Sequence, residues 1–104
     1  MADRGRHPWR TPEMNELFQA ILELETRAEV EQFLRDLCTL AELEAMAQRW
    51  AVARQLDQGL PYVEVASRTG ASTTTVTRVA HWLRHGEGGY RLALDRLKNA
   101  TTTA

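Results

Sequence analysis

Apolar residues between positions 11 and 58 recur every third or fourth residue, and that stretch holds no glycine and only Pro12, so helices are predicted and no strand. Thr11-Pro12 is suited to an N-cap and first turn, after which Met14, Leu17, Phe18, Ile21 and Leu24 share a face to about Glu25. Thr26 with Glu29 has the spacing of a capping box and opens a second helix, whose stripe is Val30, Phe33, Leu34, Leu37 and Cys38. Thr39 with Glu42 repeats the pattern and opens a longer third helix ending near Gln58, where Gly59 suits the left-handed residue after a helix. Two apolar stripes on this helix, Leu43/Met46/Ala47/Trp50 and Ala45/Val52/Leu56, predict a central scaffold packed on several sides. A chain this short buries only about two-thirds of its unfolded surface, so the stripes of the first two helices predict a helical dimer.

From Leu60 the texture changes. Pro61 to Thr69 and Thr73 to about Leu83 form two short helices around Gly70-Ala71-Ser72, with Ser72 as the second N-cap. Ala66 is small where a second helix must pass, Gly70 suits a positive-φ turn, and Val76 fills the angle between the helices, with Val65, Ala71 and Val79 completing the buried set. That is a helix-turn-helix pattern. Its complementary face carries Ser72, Thr73, Thr74, Thr77, Arg78 and His81, with Arg84 further along, positions from which base edges and phosphates of a duplex would be met. An ordinary helical hairpin shares the glycine turn, but not the combination of spacing, polar outer face and local charge.

The net charge of −1 over 104 residues conceals a segregation. Residues 1–10 carry +2, residues 11–59 carry −6 and residues 60–104 carry +3, so a basic arm and a basic C-terminal part flank an acidic centre. With 43% hydrophobic and 26% charged residues, the composition is that of one globular domain over 11–98, between a mobile basic arm at 1–10 and a disordered tail at 99–104. No apolar run approaches a membrane span or a secretory signal, and Cys38 has no second thiol, which together predict a cytoplasmic protein without a disulfide framework.

The stretch Thr39-Leu40-Ala41-Glu42-Leu43-Glu44-Ala45-Met46-Ala47-Gln48-Arg49-Trp50, followed by Gly70-Ala71-Ser72-Thr73-Thr74-Thr75-Val76-Thr77-Arg78, resembles the Trp repressor superfamily. Arg35-Asp36-Leu37-Cys38-Thr39 and Gly86-Glu87-Gly88-Gly89-Tyr90 point further to the YerC/YecD-type TrpR-like subgroup. The resemblance spans roughly 11–98. It implies an all-α, six-helix chain forming an intertwined homodimer, with the fourth and fifth helices reading double-stranded DNA and the last, around Tyr90 to Lys98, returning to the dimer core. The function implied is transcriptional regulation, as a repressor.

In tryptophan-responsive members a corepressor lies between the central helix and the recognition helix, held by two arginines and a threonine. Arg49, Arg78 and Thr39 match those by local motif, whereas the glycine after the second arginine is Val79 here and a later serine is Trp82. The implied pocket (Thr39, Arg49, Arg78, Val79, Trp82) is narrowed, with Trp82 buried in it, so no tryptophan corepressor or other cofactor is expected. The identity of any small-molecule effector is not legible.

His81 and His85 lie four apart with Glu87 nearby, but two helical histidines without a strong third ligand are usually surface, and no metal is expected. Trp50 and Trp82 fall at core spacings, while Trp9 sits in the basic arm. No nucleophile elbow or phosphate loop is present, and paired acids such as Glu23/Glu25 point in different directions, so an enzyme is not expected. The competing expectation is a dimeric protein-interaction module with a vestigial helix-turn-helix.

Overall fold

A computed structural model describes residues 9–103. Among them there are six helices and no strand: α1 (Pro12–Leu22), α2 (Arg27–Leu37), α3 (Leu40–Asp57), α4 (Tyr62–Thr69), α5 (Thr73–His85) and α6 (Gly89–Thr103). They fall into two units, α1 and α2 in one that ends at Thr39, and α3 to α6 in one that begins at Leu40. Arg4 and Arg6 of the expected arm lie outside the described residues.

In the first unit the caps form where hydroxyl side chains precede the apolar stripes. Thr11 Oγ1 accepts from the Met14 N–H at 3.1 Å, and Thr26 Oγ1 from the Glu29 N–H at 3.1 Å. The Glu29 carboxylate reaches back to the N–H of Glu25 at 2.7 Å, one residue ahead of the cap. α1 stops at Leu22, because the Glu23 N–H is shared between the carbonyls of Gln19 and Ala20 and tightens the last turn. Trp9 stands edge-on to Phe18, with ring centroids 6.3 Å apart, and the Arg10 guanidinium lies 4.6 Å above the Trp9 ring. Neither helix contains a fully buried residue, and Phe18 is 44% exposed.

The second unit has a core. Val52 and Ala53 of α3, Val65 of α4, Ala71 of the turn, and Val76 and Val79 of α5 form one buried cluster, against which Trp50, Leu56, Leu60, Ala66 and Tyr90 are half-buried. α3 touches α4, α5 and α6, as expected of a scaffold, but its fully buried residues lie in its C-terminal half, and Ala45, Met46 and Ala47 remain exposed.

α6 is fastened to α3 by charge and by rings. Asp57, whose side chain is 12% exposed, accepts from Arg91 at 2.8 Å and from Lys98 at 2.9 Å, and Arg91 also reaches Asp95 at 3.1 Å. Tyr90 stacks on Trp50 with centroids 6.2 Å apart. α6 then continues to Thr103, past Lys98 and into the segment expected as a disordered tail. Once its first turns are anchored, each further residue adds a hydrogen bond without a new nucleation cost.

Candidate nucleic-acid interface and the adjoining cavity

The turn between α4 and α5 is built by four side chains and one backbone angle. Gly70 adopts φ +76°, and its N–H closes α4 on Ala66 O at 3.0 Å. Thr69 Oγ1 donates to Val65 O at 2.7 Å and accepts from the Ala71 N–H at 3.2 Å. Gln48 Nε2 of α3 donates to Thr69 O at 3.3 Å, pinning the turn to the scaffold. Ser72 Oγ accepts from the Thr75 N–H at 3.1 Å and lies 3.1 Å from Thr75 Oγ1, so its hydroxyl is engaged in capping.

Beyond the cap, α5 divides cleanly. Val76, Val79 and Ala80 are buried, whereas Thr73, Thr74, Thr77, His81 and Arg84 are exposed along the adjoining face of the helix. Of the predicted contact residues, the structure brings Thr73, Thr74, Thr77, His81 and Arg84 onto one face, while Ser72 caps the helix and Arg78 lines the adjoining cavity. Arg84 is drawn aside to donate to Tyr62 Oη of α4 at 3.1 Å. His81 meets Trp82 edge-on at 4.9 Å and lies 5.2 Å from His85, yet no group of three or more potential metal ligands occurs among the described residues.

A cavity of about 390 Å³ opens on the flank of that face. α3 contributes Ala45, Gln48 and Arg49 to it, α5 contributes Thr75, Arg78, Val79 and Trp82, and α6 contributes Tyr90. Four of the five residues expected around a pocket are thus together. Thr39 is not among the lining residues; it precedes α3 and belongs to the first unit. Among the described residues Arg68, Arg91 and Lys98 form ion pairs in the second unit, and Arg49 and Arg78 line the cavity.

The expectation of a buried Trp82 filling this space is corrected. Trp82 is 56% exposed and forms a wall of an open cavity: it lies one turn beyond Val79, where its ring stays largely uncovered and meets His81 edge-on. Trp50, by contrast, does pack against the core. Thr75, Gln48, Ala45 and Tyr90 were missed as lining residues. Thr75 was findable, since it precedes Arg78 and Trp82 by three and seven residues, on the same side of the helix.

A helical chain with a capped helix-turn-helix and an exposed polar second helix belongs to the class of helix-turn-helix folds. Residues 12–98 match the model of the Trp repressor protein family, and the chain belongs to that family. It is 43% identical over 93 residues to the uncharacterised protein YerC of Bacillus subtilis (strain 168), covering 89% of each chain. Among solved structures, a TrpR-like protein from Eubacterium eligens ATCC 27750 superposes with a TM-score of 0.81 at 39% identity, covering 86% of this chain and 92% of that one. A candidate Trp repressor from Staphylococcus aureus does so with a TM-score of 0.81 at 42% identity, covering 86% and 90%. No helix among the described residues is long and apolar enough to cross a membrane.

Proposed function

We propose that the chain is a homodimeric, cytoplasmic transcriptional repressor that places α5 in the major groove of double-stranded DNA. The observation that carries this is the exposed face Thr73/Thr74/Thr77/His81 on a helix whose other side is fixed by Val76 and Val79, in a chain of the Trp repressor family. The short hydroxyl side chains permit close approach to base edges, while Arg78, Arg84 and the N-terminal arginines supply charge toward phosphates. Dimerisation follows from the uncovered stripes of α1 and α2, and a two-fold dimer implies half-sites about one helical turn apart. No tryptophan is required. Val79 and Trp82 stand where the tryptophan-responsive members carry a glycine and a serine, so the cavity that they wall with Arg49 and Arg78 has a different outline from a tryptophan site.

Selection of duplexes from a random pool, followed by titration at several salt concentrations, tests this. Affinity is expected to fall steeply with salt, and each phosphate contact removed by replacing an arm arginine should flatten the log–log slope by about one unit. Loss of salt-sensitive duplex binding would instead favour a protein-interaction module. Adding millimolar L-tryptophan should leave the affinity unchanged; a tenfold gain would restore the amino-acid-responsive reading.

A further inference from the structure

The exposed face of α5 is poorly equipped for hydrogen-bonding discrimination and well equipped for another kind. Its first two turns present Thr73, Thr74 and Thr77 and no arginine, lysine, asparagine or glutamine before Arg78, which lines the cavity. The bidentate pairings that single out guanine or adenine need a guanidinium or carboxamide fork, and a lone hydroxyl pairs with donor and acceptor edges alike. Threonine differs from serine by one methyl group. In the major groove the only base bearing an apolar group is thymine, at C5. The Arg84–Tyr62 hydrogen bond ties the C-terminal part of α5 to the start of α4.

We propose that α5 selects its DNA site chiefly by thymine C5-methyl groups, packed against the side-chain methyls of Thr73, Thr74 and Thr77. The proposal rests on the reading that α5 enters the major groove. A methyl–methyl contact removes apolar surface from water and discriminates thymine from cytosine without a hydrogen bond. Burial of one such group corresponds to about a fourfold change in affinity, from about 0.8 kcal/mol. Hydroxyl groups remain free to meet whichever edge or phosphate lies nearest.

The experiment replaces thymine by uracil, one position at a time, in the duplex preferred by the intact protein; pairing is unchanged and only the methyl is lost. Affinity should fall about fourfold at two or more positions of each half-site, with no change for an unrelated duplex. Thr77→Ser, which keeps the hydroxyl, should abolish sensitivity at one of those thymines, and Thr77→Val, which keeps the methyl, should retain it. Uniform indifference of the wild-type protein to uracil would overturn the proposal while leaving duplex binding intact. So would a loss of discrimination in Thr77→Val with retention in Thr77→Ser. Absence of any salt-sensitive duplex binding would overturn both this proposal and the reading beneath it.

Discussion

Gly70 shows how much one backbone angle decides. At φ +76° an L side chain is strained, while a Cβ placed there would come no nearer than 3.9 Å to Gln48 Nε2, so the penalty for a substitution is conformational and not steric. Gly70→Ala is expected to cost about 1–2 kcal/mol in denaturant unfolding, and Gly70→Asn less, because asparagine tolerates the left-handed region. Gly86 is constrained differently: a Cβ would lie 2.5 Å from Trp82 O, so there the obstacle is contact. Asp57 makes a pH-dependent contribution. The hydrogen bonds from Lys98 and then Arg91 hold its carboxyl below the ordinary range, outweighing burial, which acts the other way. A carboxyl depressed on folding stabilises the native state above its unfolded value of about 3.9 and loses that contribution as pH falls toward the folded value. The stability gap between wild type and Asp57→Asn, followed by urea midpoints, should therefore be full at pH 7 and close as pH falls below about 4.

At the scale of elements, the recognition helix is held by a few small apolar residues. Val76 is fully buried between α3, α4 and α5. Val76→Ala should cost about 2 kcal/mol of stability, from lost transfer energy and a residual cavity, measurable as a shifted thermal midpoint. The helices themselves were legible in the sequence, because Thr11, Thr26 and Ser72 announce their N-termini and the 3.6-residue stripes follow. The helix-turn-helix was legible for the same reason, its determinants lying within a dozen residues of one another. Trp82 was not. Periodicity fixes the angle at which a side chain leaves its helix, and says nothing about whether another element stands there to cover it. The Asp57–Arg91–Lys98 tie was equally hidden, since Asp57 and Arg91 are 34 residues apart and no local pattern pairs them.

For the molecule as a whole, the uneven burial is the main fact. The α3–α6 unit encloses a core, whereas α1 and α2 have none of their own and leave Phe18, Ile21, Leu22, Val30 and Leu37 exposed. Sedimentation equilibrium at micromolar concentration should give twice the chain mass, and Phe18→Glu should shift the molecule toward the monomer or unfold it, since obligate dimers often lack a stable folded protomer. A folded wild-type monomer at that concentration would sink the proposed dimer.

The apolar stripes sit on different helices from the polar face of α5, so the proposed pairing and the proposed DNA reading can be damaged separately. In a cell carrying two alleles, that separation has a genetic signature. Copies altered only at Thr74 and Thr77 would still pair, drawing intact partners into mixed dimers with one competent half, and the altered allele should be dominant. Copies altered at Phe18 or Leu37 would find no partner to spoil, and their allele should be recessive.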